Sequence, residues 1–246
     1  MTQLGFVGSG NMARALAVGL GEPALFTDAG SGRAAQLAKL VGGEALTSNR
    51  ELAARADVVV LAHKPAQLHL IAPDIAKAKI VLSLLGGVTL EQLKAMIPGA
   101  KITRAMPNTA VEVRQGVTCI CGVEDLDDLL ERVGLVMRLP ERLMDAATAV
   151  SGVAPAYVSL IAEAWVDAAV GQGIPASQAA ALVCASLGGS AALLQARDMD
   201  TLAVRREVTS PGGMTARGLR VLERSGIRAA FSDAAAAVTT TGSPTK

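Results

Sequence analysis

The chain has 246 residues, 51% of them hydrophobic, with 23 lysines and arginines against 22 aspartates and glutamates. A composition of this kind buries a sizeable core and excludes a disordered or collagen-like chain. A net charge of +1 and an aromatic content of 2% supply neither a basic footprint for a phosphate backbone nor stacking platforms for single-stranded bases, so nucleic acid is not an expected partner.

Met1-Thr2-Gln3-Leu4 runs directly into an apolar strand pattern without the basic region and cleavage site of a signal peptide, which predicts a cytoplasmic protein. The first half alternates short β-like runs, near residues 3–8, 24–28, 57–62, 80–84 and 101–105, with amphipathic stretches. That is the rhythm of a parallel sheet wound on both faces. A further β-run at 117–121, a helix over about 125–136 and a short strand at 137–139 are expected to finish the sheet. Strand signals end at Met144, and the remainder reads as helices near 144–171, 175–196, 212–225 and 228–239. The expected fold is therefore α/β. An N-terminal Rossmann-type doubly wound sheet occupies residues 1–143, and a C-terminal all-helical domain occupies 144–246. The tail from Thr239 to Lys246 has the composition of a disordered segment.

Residues 168–196 carry no charge, long enough a run for a membrane span. Gly171-Gln172-Gly173-Ile174-Pro175 interrupts it, however, and the Ala, Ser, Gly and Gln that follow contribute little insertion energy. The expectation is a helix starting near Pro175, buried on most sides by protein and not by lipid. The helical domain is short and apolar on more than one face, so a partner copy is its simplest cover, and a homodimer is expected.

Gly8-Ser9-Gly10-Asn11-Met12-Ala13 fits G-x-G-x-x-A between an apolar strand and a helix rich in Ala and Leu. In that setting Gly8 permits the tight turn, Gly10 lets a pyrophosphate approach the backbone, and Ala13 lets the helix lie close to the sheet. The helix start offers unpaired N–H groups to the phosphates. Asp28, at the end of the next strand, stands where a carboxylate binds an adenosine ribose hydroxyl in NAD. Ser31 and Arg33 follow at once, and a Ser with an Arg suits the 2′-phosphate of NADP. The residues alone leave the two cofactors open.

Leu61-Ala62-His63-Lys64-Pro65 and Arg104-Ala105-Met106-Pro107-Asn108-Thr109 each end an apolar run with polar residues at the carboxyl edge of the sheet, where ligands of such folds sit. A surface or packing role is the simpler reading of His63, and Pro107-Asn108-Thr109 has the chemistry of an ordinary turn. In the helical half, Val208 to Thr215 precedes a helical pattern. Ser210 and Pro211 read as N-cap and first helical residue, and Gly212 and Gly213 leave backbone N–H groups uncovered, which suits a small carboxylate. A plain cap would not need two glycines in the first turn, each costing about 1 kcal/mol relative to Ala. Cys119, Cys121 and Cys184 read as small core hydrophobes, and no metal ligand set is apparent. Tyr157 and Trp165 fit one face of a helix.

Taken together, these motifs resemble the 1-pyrroline-5-carboxylate reductases, over nearly the whole chain from Leu4 to about Ala237. The segments that carry the resemblance are Gly5 to Ala13, Ala62 to Pro65, Arg104 to Thr109, Ser151 to Tyr157 and Val208 to Thr215. The chain departs from the family's usual pattern at His63, Ala110, Val153, Ala154 and Met214. The resemblance implies an NAD(P)H-dependent reduction of a cyclic imine to L-proline, the last step of proline biosynthesis. It implies NADP(H) as cofactor with NAD(H) as the alternative, and homodimers built through the helical domains, in some cases assembled further. It also suggests that Ser210, Gly212 and Gly213 bind the substrate carboxylate, that Thr215 hydrogen-bonds the ring nitrogen, and that Asn49, Ala62, Lys64 and Pro65 line the cofactor.

Three other readings compete. One is a reductase of another small cyclic imine. A second is a hydroxy-acid dehydrogenase, which would want a Lys or His acid in the helical half, where Lys246 is the only Lys and no His occurs. The third is a nucleotide-sensing dimer without turnover, which would have no use for a carboxylate cradle.

Overall fold

The computed structural model describes residues 2–123 and 125–239, so the tail expected to lack order lies outside the described residues from position 240 onward. Two compact units make up the chain, Met1–Pro155 and Ala156–Lys246.

The first unit is built on an eight-stranded sheet of order β3-β2-β1-β4-β5-β6-β7-β8. The strands are β1 Leu4–Val7, β2 Leu25–Thr27, β3 Glu44–Ala45, β4 Val58–Leu61, β5 Ile80–Ser83, β6 Lys101–Pro107, β7 Gly116–Gly122 and β8 Gly134–Arg138. Strands β1 to β6 are parallel. A strand buried on both faces reads as a continuous apolar run, and β4 shows it. Val58 and Val60 pack with Phe6, Leu16 and Phe26 in one core, while Val59 and Leu61 pack with Leu52 and Leu93 in the other. Helices α1 (Asn11–Leu20) and α2 (Arg33–Val41) close the first face through Leu16 and Leu37. The second face is closed by α3 (Asn49–Arg55), α4 (Leu68–Ile71) and α5 (Leu90–Met96) through Leu52, Leu68 and Leu93. Phe6 and Phe26 stack at 5.2 Å between centroids inside the first core.

Four features up to Gly171 differ from the sequence expectation. β7 runs antiparallel to β6, and β8 follows β7 in parallel. The connection between β6 and β7 is a short 3-10 turn over Thr109–Val113, too short for a crossover, which takes a dozen or more residues. β3 was not expected, and it is two exposed residues at the sheet edge. The helix expected over 125–136 is only α6, Asp127–Glu131, and β8 starts correspondingly earlier, at Gly134.

The fourth difference is in the helix expected from 144 to 171, which is broken into α7 (Met144–Ala147), a π-helical turn (Thr148–Gly152) and α8 (Ala154–Gly171). Pro155 has no N–H for the carbonyl of Ser151. The Asn108 amide donates to that carbonyl instead, at 3.1 Å. Arg104, 3% exposed on β6, adds ion pairs to Glu141 (3.3 Å) and Asp145 (3.5 Å), and Glu141 also accepts from the Leu90 N–H at 2.6 Å. These bonds tie residues 141–152 to the sheet. The first compact unit therefore runs to Pro155, beyond the boundary expected at 143.

The second unit contains the rest of α8 together with α9 (Ala176–Gln195), α10 (Thr201–Glu207), α11 (Met214–Arg224) and α12 (Ile227–Thr239). α10 was not expected, and it is started by Asp200, whose carboxylate accepts from the Leu202 and Ala203 N–H groups, both at 2.9 Å. α9 was expected to be buried on most sides, yet within the single chain only Ala179 and Val183 of that helix are buried. Leu160, Leu182 and Phe231 are exposed, as is Cys184, so that thiol is not a core residue here. By length and composition, Glu141–Gly171 and Ala176–Gln195 would each suit a membrane as well as a partner helix.

Candidate active site

The sheet order reverses between β1 and β4, and in open α/β folds the ligand crevice lies outside the strand ends at such a point. β1 ends at Val7, and Gly8 turns the chain with φ +99, a left-handed conformation that favours glycine. A side chain at Gly8 would also meet the Ala62 carbonyl carbon and the His63 nitrogen at 2.7 Å. The turn is anchored by the Thr27 carbonyl, which accepts from the Gly8 N–H (3.1 Å) and from the buried Ser9 hydroxyl (3.0 Å). Gly10 precedes α1 and no side chain caps that helix, which leaves its first N–H groups open. A Cβ on Gly10 would touch nothing within 4 Å. Protein packing therefore does not require glycine there, whereas a ligand lying on the turn would. Ala13 is fully buried against the sheet, as the motif demands.

A cleft of about 460 Å³ opens above this turn. Of the sequence candidates, Gly8, Gly10, Asp28, Ser31, Arg33, Asn49, Ala62 and Lys64 all line it. Asn11, Met12, Ala13 and Pro65 do not: Ala13 is in the core, and Pro65 begins the 3-10 turn that follows Lys64. The cleft also takes in Thr27, Gln67, Leu70 and Ile71, which the sequence reading missed. Thr27 reads in sequence as one more strand residue, yet its hydroxyl donates to the side-chain Oδ1 of Asn49 at 2.7 Å and so orients that amide. Leu70 is 66% exposed, an apolar surface whose helix alone gives no sign of a ligand.

The two cofactor signals meet in one loop beside the cleft. The Asp28 carboxylate accepts from the Gly30 N–H (2.8 Å), the Ser31 hydroxyl (2.9 Å) and the Ala34 N–H (2.8 Å). These bonds, that from Ala34 foremost, hold its pKa below the ordinary carboxylate range. Asp28 is thus employed in shaping the loop that starts α2. Arg33 is exposed beside the cleft, and its guanidinium has no ion-pair partner among the described residues.

Asn108 and Arg104, polar residues of the β6 motif, are structural. Besides holding Ser151, Asn108 accepts from the Ala110 (3.2 Å) and Val117 (3.3 Å) N–H groups, so the whole amide is used. Cys119 and Cys121 are buried on β7 beside Met106 and Met144, and burial pushes the Cys121 thiol up.

In the second unit, the segment before α11 is arranged differently from the sequence expectation. The helix begins at Met214 with Gly213 as its cap residue, not at Pro211 after Ser210. Ser210 to Gly213 form a turn closed by the Gly213 N–H on the Ser210 carbonyl at 3.0 Å. Gly212 has φ +69, and a Cβ on Gly213 would collide with the Ser210 hydroxyl. Gly212 is therefore required by the turn itself, whereas at Gly213 a side chain would displace the rotatable Ser210 hydroxyl. Arg217 donates to the Gly212 carbonyl at 2.9 Å. No side chain caps α11, so its leading N–H groups remain available. Thr215 lies exposed in its first turn, and no hydrogen bond engages its hydroxyl among the described residues.

The fold and the cleft are those of the dinucleotide-binding class, with a separate helical domain. Among curated proteins, the pyrroline-5-carboxylate reductase of Synechocystis is 34% identical over 94% of both chains, and that of Thermus thermophilus 33% identical over 98% and 97%. This chain belongs to the pyrroline-5-carboxylate reductase family. Residues 141–243 match the family described as pyrroline-5-carboxylate reductase dimerisation, and residues 3–87 the one described as NADP oxidoreductase, coenzyme F420-dependent. Among solved structures, the Plasmodium falciparum pyrroline carboxylate reductase with NADP bound superposes with a TM-score of 0.87 at 29% identity, covering 97% of this chain and 95% of the other. The Coxiella burnetii pyrroline-5-carboxylate reductase gives 0.84 at 31% identity, covering 97% and 96%.

Proposed function

We propose that the chain reduces 1-pyrroline-5-carboxylate to L-proline, the last step of proline biosynthesis, with NADPH as the hydride donor. The observation that carries this reading is the full-length kinship with pyrroline-5-carboxylate reductases, which spans the cleft and the helical domain alike. In the first unit, the Gly8–Gly10 turn and the start of α1 would hold the pyrophosphate, and Asn11, Met12 and Ala13 complete that helix start. Asn49, Ala62, Lys64 and Pro65 would flank the rest of the dinucleotide. When bound, the dinucleotide supplies the hydride.

In the second unit, Ser210, Gly212 and Gly213 with the open N–H groups of α11 would hold the substrate carboxylate, the arrangement that anions favour at a helix start. The Thr215 hydroxyl would donate to the ring nitrogen. An imine carbon accepts hydride best when its nitrogen is hydrogen-bonded or protonated, so a fixed donor there works on the charge that develops in the reaction. The test is oxidation of NADPH by the purified protein with 1-pyrroline-5-carboxylate. No turnover with either NADPH or NADH would refute the reading.

The preference for NADPH rests on the unpaired Arg33 and on the occupied Asp28 carboxylate. Arg33→Ala should raise KM for NADPH by about tenfold, the low end for a hydrogen bond to a charged group because Arg33 is exposed. KM for NADH should hardly move. Steady-state kinetics with both cofactors decide it, and an equal effect on the two would remove Arg33 from the site.

The reading includes a homodimer in the cytoplasm, a reducing compartment suited to the three free cysteines. In support, the dimerisation family match covers both apolar stretches that the single chain leaves exposed, so a partner copy is preferred to a bilayer as their cover. Denaturation midpoints should then rise with protein concentration. A chain that sediments as a stable monomer at micromolar concentration would contradict the dimer.

A further inference from the structure

The turn from Ser210 to Gly213 follows the type II pattern. Pro211 takes the place that its fixed φ suits, Gly212 takes the place that needs a positive φ, and the Gly213 N–H closes the turn on the Ser210 carbonyl at 3.0 Å. The peptide group that joins Gly212 to Gly213 has glycine on both sides, so little steric resistance opposes its rotation. Two hydrogen bonds oppose it instead. Its N–H is held by Ser210, and its carbonyl oxygen accepts from Arg217 Nη1 at 2.9 Å. Arg217 thus reaches back from the first turn of α11 to the segment that precedes the helix.

Helix stability does not account for a cation at this place. The start of a helix favours acids and disfavours bases, yet α11 has no acid in its first turn. Its single acid, Glu223, pairs with Arg205 and Arg228, and no carboxylate pairs with Arg217 among the described residues. Rotation of the Gly212–Gly213 peptide would exchange the places of its oxygen and its N–H. An oxygen turned toward the helix start would repel the anion that the open N–H groups of α11 are there to receive. On the reading of this loop as the carboxylate cradle, we propose that Arg217 is a positioning residue for the substrate, which locks that peptide through the Gly212 carbonyl and so keeps the cradle in its anion-accepting form.

The experiment compares the wild type with Arg217→Met and Arg217→Lys. It combines steady-state kinetics on 1-pyrroline-5-carboxylate, titration with NADPH, and hydrogen–deuterium exchange without ligand. Methionine keeps an unbranched stem and good helix propensity while it removes every donor. In that variant KM for the imine should rise roughly three- to tenfold, the range of one exposed hydrogen bond from a charged group. Exchange over residues 210–214 should quicken. Turnover at saturation and NADPH affinity should hardly move, and the melting temperature should hold, because a base at a helix start adds little to stability. Lysine keeps the charge without the planar fork, so it should leave most of the KM increase in place. Full recovery by lysine would make Arg217 a general attractor of anions and overturn the proposal. An unchanged KM would overturn it too, as would unchanged exchange over the turn. A wild type that turns over no imine would overturn the proposed reaction, and this inference with it, whereas a wild type that does so with both variants alike would overturn the inference alone.

Discussion

Gly10→Val should give a folded protein that no longer retains the dinucleotide. The backbone at Gly10 has φ −79 and ψ −172, extended geometry open to any residue, and an added Cβ meets no protein atom within 4 Å. The variant therefore has little reason to lose stability. Its isopropyl group would stand over the start of α1, in the space a pyrophosphate needs to reach the backbone N–H groups. Loss of two hydrogen bonds to a charged group, at about 1.5–3 kcal/mol each, corresponds to a Kd weaker by roughly a hundredfold or more. Titration with NADPH alongside a thermal melt reads both quantities. Unchanged affinity in a folded variant would remove the turn from the cofactor site. Gly8 is the contrasting position, because there both the positive φ and the backbone of Ala62 and His63 forbid a side chain.

Thr215→Ala should lower kcat by roughly ten- to a thousandfold, the range for removing one preorganised donor from a developing charge, while NADPH affinity stays intact. The carboxylate can be held by backbone donors, so KM for the imine should change less than kcat. A purely structural role predicts the opposite pattern. A capping threonine would take about 1 kcal/mol of stability with it and leave turnover in place. The structure gives the hydroxyl no capping bond, since α11 starts from Gly213 without a side-chain cap. Measuring melting temperature and kcat on one preparation separates the two, and a less stable but fully active variant would refute the catalytic assignment.

The parts of the fold legible in sequence were those with a strong local pattern. β1, β4 and β5 are apolar runs, and the G-x-G-x-x-A turn announces both its strand and its helix. β3 escaped notice because two exposed residues, Glu44 and Ala45, carry no periodicity. The reversal at β7 was written only in the shortness of the segment after Pro107, a length signal and not a composition signal. The break in the helix after Met144 leaves the Ser151 carbonyl to Asn108, which reaches it from the turn after β6, a contact that no local window contains. In the cleft, the glycines, Asp28, Arg33 and Lys64 were legible as motif members. Thr27, Gln67 and Leu70 were not, because their part comes from the β1–β4 crevice bringing separate strand ends together. The start of α11 was misplaced for a related reason: Ser210-Pro211 has the chemistry of a helix start, but the positive φ at Gly212 makes the segment a turn first.

Asp28 also bears on how this enzyme could be redesigned. Its carboxylate is the keystone of the loop from Gly30 to Ala34, with both oxygens already engaged. Deleting Arg33 would subtract affinity for the phosphorylated cofactor and add none for the other, because the carboxylate that would meet a free ribose hydroxyl is already held by the loop's own donors. A conversion to NADH would have to begin by giving that loop a different anchor, for instance a residue able to cap α2 unaided, and only then enlist the freed carboxylate. On the proposed reading, Arg33 recognises the phosphate while the folded loop that holds Asp28 withholds the alternative.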